Sequence, residues 1–109
     1  MYRTASDRTH HELLLLEADE VAAPISGGPR LGLCHIGLKV GDSDDELREV
    51  LASLRAAEVP ITAITDHTIT HSIYVSDPDG NEIELYVDVP GVDWRAAPDL
   101  INNATPLNI

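Results

Sequence analysis

The chain has 109 residues, 43% of them hydrophobic, and a formal net charge of −12. That length is one domain at most, and so acidic a surface excludes nucleic acid and anionic membranes as partners, since both need a basic footprint. With no Phe, one Trp and three Tyr, the core has to be built from Leu, Val, Ile and Ala, and the single cysteine, Cys34, rules out a disulfide within the chain.

No apolar run approaches the roughly 18 residues of a membrane span, and residues 1–8 lack the apolar stretch of a signal peptide. With one cysteine suited to a reducing compartment, the expected location is the cytoplasm.

Residues 10–17 carry four consecutive leucines, Leu13 to Leu16, between polar neighbours. This pattern predicts a strand buried on both faces, with a short helix as the alternative. Residues 21–31 are rich in Gly and Pro and read as a linker. A strand is predicted over 32–40. Alternation places Leu33, His35, Gly37 and Lys39 on one face, and Cys34, Ile36, Leu38 and Val40 on an apolar face that should meet a helix. Cys34 is therefore expected as a core thiol.

The helix is predicted over 43–58. Ser43 with Glu46 forms a capping box, Asp44, Asp45 and Glu46 suit the positive end of the dipole, and Leu47, Val50, Leu51 and Leu54 form one apolar stripe. Pro60 is expected to end it. Residues 61–65 read as a β-branched strand. Strands over 72–76 and 82–88 flank Asp77-Pro78-Asp79-Gly80, a hairpin signal. In the second of these, Ile83, Leu85 and Val87 share one face, and Glu82, Glu84, Tyr86 and Asp88 the other. Residues 90–109 hold three prolines and little periodicity, so an ordered but irregular tail is expected, with a helical turn near Trp94.

The predicted fold class is thus α+β: one βαβββ module over 32–89, preceded by one strand within 1–20 and the linker, and followed by the tail. If the two polar faces belong to one sheet, His35 and Glu84 project from the same surface. A neutral imidazole and a carboxylate are ligands of non-haem Fe(II), Mn(II) or Zn(II). Tyr74 shares the parity of Ser72, opposite Ile73 and Val75, and belongs on that side. His67 precedes the Tyr74 strand in a loop and hangs over its rim. His71 has the opposite parity. His10 and His11 read as polar residues of an edge strand, and residues 42–46 as helix capping rather than a calcium loop.

Gly32-Leu33-Cys34-His35-Ile36-Gly37-Leu38-Lys39-Val40, Asp66-His67 followed by His71-Ser72-Ile73-Tyr74, and Asp77-Pro78-Asp79-Gly80-Asn81-Glu82-Ile83-Glu84 together resemble the vicinal oxygen chelate superfamily, in its catechol 2,3-dioxygenase-like (extradiol) branch. The resemblance covers residues 31–88. The turn motif marks the superfamily; Tyr74, ten residues before Glu84, marks the branch. His67 lies seven residues before Tyr74, a shorter spacing than that branch usually has.

The resemblance implies that His35 and Glu84 are metal ligands, that Tyr74 donates to a catecholate oxygen, and that His67 acts in acid–base steps or on bound dioxygen. The implied reaction is ring cleavage of a catechol-type aromatic by Fe(II) and O₂, with Mn, Zn or Ni as other candidate metals. It also implies a third ligand, a histidine from a preceding module of which residues 2–17 match only the last part. His10, His11 or another subunit are the candidate sources. An open half-cup needs its edge covered, so a homodimer is expected, with the leucine run and Trp94 near the contact. The alternatives are a metal-free binding module or inactive truncated remnant, and a glyoxalase-like lyase or isomerase.

Overall fold

The computed structural model describes residues 10–109 and the backbone of residues 2–3. Two short strands, β1 (Tyr2–Arg3) and β2 (Leu14–Leu15), pair only with each other. Beyond them lies a five-stranded mixed sheet, built from β3 (His35–Gly41), β4 (Ile61–Asp66), β5 (Thr70–Ser76), β6 (Glu82–Asp88) and β7 (Thr105–Pro106). Its order is β3-β6-β5-β4-β7, with helix α1 (Asp44–Ala56) between β3 and β4. The class is α+β, as expected.

After α1 carries the chain across, β4 and β5 form a hairpin and β6 returns into the gap beside β3, antiparallel to β5 and parallel to β3. The last strand of the module is therefore central, with β5 on one side and β3 on the other.

One face of this sheet packs on α1. Leu47, Leu51, Ile73, Val75 and Val87 form the buried core, with Val40, Val50, Leu54, Ile61, Ile64 and Ile83 packed around it. These are the positions that period 3.6 on the helix and period 2 on the strands turn inward. His71 also faces this side, with Nδ1 at 2.6 Å from Asp44 and Nε2 at 3.5 Å from Asp66, so it ties the start of α1 to β4.

The helix cap agrees closely with the sequence. Ser43 Oγ accepts from the Glu46 N–H at 3.2 Å, and Glu46 Oε1 accepts from the Asp42 N–H at 3.2 Å. Gly41 leaves room for this return: a Cβ there would lie 2.5 Å from Glu46 Oε2. The end of the helix differs from expectation. It stops four residues before Pro60, in a Schellman closure in which Val59 N–H bonds Leu54 O (2.9 Å) and Glu58 N–H bonds Arg55 O (3.1 Å). Glu58 takes the left-handed conformation, φ 57°, that glycine usually supplies.

Further readings are corrected. Leu13 to Leu16 are 40–68% exposed rather than buried on both faces, because β2 does not join the main sheet. The β3 strand starts at His35, so Cys34 lies outside it with an exposed thiol instead of in the core. Leu38 is also exposed, since β3 is an edge strand that the single helix covers only at Val40. The tail is less irregular than its prolines suggested. The expected turn at Trp94 is made by Ala96 N–H to Asp93 O (3.2 Å) and Ala97 N–H to Trp94 O (3.3 Å), a 3₁₀ turn follows over Pro98–Asn102, β7 pairs with β4, and Leu107 and Ile109 join the core margin. Among the described residues no helix is long and apolar enough to cross a membrane.

Candidate functional site

The site lies on the sheet face away from α1, and register builds it. Glu84 of β6 sits opposite Tyr74 of β5 and beside Gly37 of β3. Gly37 has no side chain, so the ground beside Glu84 is open, and His35, on the same face two residues back, reaches into it. His35 Nε2 lies 3.2 Å from Glu84 Oε1. The other carboxylate oxygen, Oε2, accepts from Ser72 Oγ at 2.6 Å and from Tyr74 Oη at 3.1 Å. Ser72 is fully buried and Glu84 is 9% exposed. A buried carboxylate needs such donors to remain where it is, and these two commit one oxygen and aim the other at His35.

Tyr74 also meets His67, whose Nε2 is 2.8 Å from the phenol oxygen. His67 Nδ1 is 2.7 Å from the Asn103 carbonyl. A carbonyl only accepts, so Nδ1 carries the proton and the neutral ring presents Nε2 as a base toward Tyr74. The phenol proton can thus be shared between His67 and Glu84. Burial, then the negative charge and hydrogen bond of Glu84, push the Tyr74 pKa well above its ordinary 10.0, so the phenol stays protonated at neutral pH.

The structure therefore brings together His35, Glu84, Tyr74 and His67, the four site residues singled out from sequence. It does not add His10 or His11, whose rings contact each other. Among the described residues, the group of three ligand types that closes within 4.8 Å is Cys34, His35 and Glu82. Its distances to His35 Nδ1 are 3.5 Å from the Cys34 sulfur and 3.8 Å from Glu82. His35 thus turns Nε2 to Glu84 and Nδ1 toward the exposed Cys34 and the half-buried Glu82.

A divalent ion sets the spacing of its donors. Two donors bonded to one ion at roughly 2.1 Å, at octahedral to tetrahedral angles, lie about 3.0–3.4 Å apart. The 3.2 Å between His35 Nε2 and Glu84 Oε1 meets that requirement. The His/carboxylate pair fits Fe(II), Mn(II) or Zn(II), and a site that included the Cys34 thiolate would favour zinc.

Next to Glu84 a cavity of about 310 Å³ opens, lined also by Ile69, Thr70, Tyr86, Asp88, Trp94 and Ile101. The tail supplies Trp94 and Ile101, so Trp94 faces this cavity.

Residues 1–85 match the model of the glyoxalase/bleomycin resistance protein/dioxygenase superfamily. The chain belongs to that superfamily. Among curated proteins it is 36% identical over 83 residues to the catechol-2,3-dioxygenase of Bacillus subtilis (strain 168), an alignment covering 76% of this chain and 28% of that protein. It is 32% identical over 82 residues to biphenyl-2,3-diol 1,2-dioxygenase 2 of Rhodococcus globerulus, covering 75% of this chain and 42% of that protein. The chain thus spans less than half the length of either relative. No solved structure matches significantly.

Three functional candidates were not assigned a role from the sequence. Ser72 was placed on the correct face by alternation, yet nothing local marked it as the partner of Glu84. Asn103 bonds His67 across 36 positions through its backbone, which leaves no trace in residue type. Thr70 falls just before the predicted strand, and the signal that finds it is its shared parity with Ser72 and Tyr74.

Proposed function

We propose that this chain supplies the second half of an extradiol dioxygenase-like site, acting on a catechol-type aromatic diol with Fe(II) and O₂. The observation that carries the reading is the divided carboxylate of Glu84: one oxygen 3.2 Å from His35 Nε2, the other held by Ser72 and Tyr74. Both relatives are named as dioxygenases, one for catechol and one for a biphenyl-2,3-diol.

In this reading His35 and Glu84 hold the metal. Held there, a divalent metal would supply a Lewis-acid centre for a diol and make its hydroxyls more acidic. The remaining chemistry belongs to the chain. Tyr74, kept protonated, donates to a substrate oxygen. His67, with Nδ1–H anchored on Asn103, takes up a proton at Nε2 and returns it, which is general acid–base work at hydrogen-bond distance. Ser72 keeps Glu84 from rotating, as outer partners of metal ligands do. Ile69, Trp94 and Ile101 limit water beside Glu84.

A third ligand comes from beyond the described residues or from a second subunit. The exposed leucines Leu13 to Leu16 and the open edge of β3 support assembly as a homodimer.

A second reading, a metal-free binding module, is favoured by one observation: among the described residues no third His, Cys or carboxylate atom closes on the His35 Nε2–Glu84 Oε1 pair. Oxygen uptake separates the readings. The iron-reconstituted chain is mixed with catechol and with 2,3-dihydroxybiphenyl in an oxygen electrode. Consumption that Tyr74→Phe and His67→Ala lower by about 10²–10⁴-fold supports the dioxygenase reading. Substrate conversion unaffected by removing O₂ would replace it with a lyase or isomerase.

A further inference from the structure

The ring of His35 has a second set of neighbours. Parallel pairing sets Glu82 directly across from His35, and Gly37, across from Glu84, leaves the space through which the same ring reaches Glu84. His35 therefore stands between two carboxylates of β6. Cys34 completes one side. In an extended strand, adjacent side chains point to opposite faces. The strand begins only at His35, so Cys34 escapes that alternation, and its sulfur lies 3.5 Å from His35 Nδ1. Glu82 Oε2 lies 3.8 Å from the same nitrogen, and the three donor atoms fall within 4.8 Å of one another.

These separations suit one small ion. Zinc binds thiolate sulfur at about 2.3 Å and imidazole nitrogen or carboxylate oxygen at about 2.0–2.2 Å, so tetrahedral angles place sulfur and nitrogen about 3.5 Å apart and nitrogen and oxygen about 3.4 Å. The first distance is met as it stands. The second needs a closure of about 0.4 Å by Glu82, whose side chain is 42% exposed. An ion reaches the donors from solvent, since the thiol is exposed and the His35 side chain is 32% exposed. Charge also favours a cation. Lys39 is engaged by Asp42 and Asp88, the Arg30 guanidinium lies beside Gly32, and among the described residues no Lys or Arg forms an ion pair with Glu82 or Glu84. A donor set that includes a thiolate favours Zn(II) over Mn(II).

We propose that Cys34, His35 Nδ1 and Glu82 form a second metal site, for Zn(II) or a similarly thiophilic divalent ion, and that this site competes with the His35–Glu84 site for one imidazole. The thiol gives its proton to solvent as the ion binds. A neutral imidazole offers one lone pair and carries its proton on the other nitrogen. An ion on Nδ1 leaves the proton on Nε2, where it is donated to Glu84 Oε1 and removes the ligand pair. An ion on Nε2 leaves Nδ1–H facing Glu82 as a donor only. The competition rests on the metal reading of His35 and Glu84; the thiolate site does not.

Co(II) tests the thiolate site, because a cobalt–thiolate bond gives an intense near-ultraviolet charge-transfer band and Cys34 is the only cysteine. The reduced wild-type chain should develop this band at one Co(II) per chain. Cys34→Ser should abolish it, Glu84→Gln should leave it intact, and Glu82→Gln should weaken Zn(II) binding, read by displacement of Co(II), about tenfold. Mn(II), followed by its free-ion electron paramagnetic resonance signal, tests the competition. Zn(II) should release bound Mn(II) from the wild type; Cys34→Ser should bind Mn(II) normally and require on the order of 100-fold more Zn(II) to release it. The absence of a cobalt–thiolate band overturns the site. So does a band at one ion per two chains that survives Glu82→Gln and His35→Ala, because it belongs to paired thiolates of two copies. Zn(II) and Mn(II) bound together, or equal Zn(II) sensitivity in Cys34→Ser, overturns the competition. A chain that shows the band but takes up no Mn(II) refutes the His35–Glu84 metal site and leaves the thiolate site standing.

Discussion

Replacing Ser72 by alanine removes one donor from a buried carboxylate and nothing else of size. Ser72 is fully buried, and its hydroxyl lies 2.6 Å from Glu84 Oε2, a short, charge-assisted contact. Hydrogen bonds to charged groups contribute about 1.5–3 kcal/mol, and because Ser72 is fully buried, water does not readily take the place of its hydroxyl. For a domain of this size each kcal/mol moves the melting temperature by about 4–8 °C, so Ser72→Ala should melt roughly 6–24 °C below the wild type. Tyr74→Phe removes the longer bond to the same oxygen, at 3.1 Å, together with the 2.8 Å contact to His67 Nε2, and should cost a similar amount, about 1.5–3 kcal/mol. The double variant should deviate from the sum, since both donors serve one atom. Melts followed by circular dichroism in the presence of a chelator give these values without metal. In Mn(II) titrations Ser72→Ala should lower affinity about 10–100-fold. A Ser72→Ala protein within about 0.5 kcal/mol of wild type, the range of ordinary surface changes, with unchanged Mn(II) affinity, would refute the idea that this hydroxyl aims Glu84.

Glu58 holds φ 57° at the end of α1, so Glu58→Gly should stabilise the fold by about 0.5–1 kcal/mol, read from urea unfolding. Gly41→Ala should do the opposite by about 1–2 kcal/mol, because its Cβ would displace Glu46 from the helix cap. The raised Tyr74 pKa means that above pH 10 the unfolded chain releases a proton that the folded chain keeps; stability should therefore fall as pH rises past 10, and Tyr74→Phe should flatten that part of the pH profile. Leu15→Lys with Leu16→Lys should shift sedimentation from dimer to monomer at micromolar concentration, and a wild type already monomeric there would contradict the assembly proposed.

What could be read from the sequence is what local physics reaches. The helix cap, the stripe of Leu47 and Leu51, and the turn at Asp77 to Gly80 are set within a few residues, and the structure has them where expected. Period 2 placed His35, Tyr74 and Glu84 on faces, and those faces coincide once β6 lies between β3 and β5. The parts that could not be read depend on long-range pairing or on chain direction after a break. Cys34 was expected inside because alternation was extended one residue too far; only the pairing of His35 with Glu82 shows where β3 starts. Leu13 to Leu16 looked like core because hydrophobicity says what should be covered, not by which surface. The tail has no period because its contacts are single ones: Leu107 N–H to Ile64 O, Asn103 O to His67, Trp94 against the cavity.

The most direct test of a metal site on His35 and Glu84 is the iron content of the chain after anaerobic reconstitution with Fe(II), measured beside His35→Ala. Such a site predicts close to one iron per chain, or per dimer, and its loss in the variant. A wild type that binds no iron, or a variant that keeps it, would contradict the assignment of these two residues as ligands.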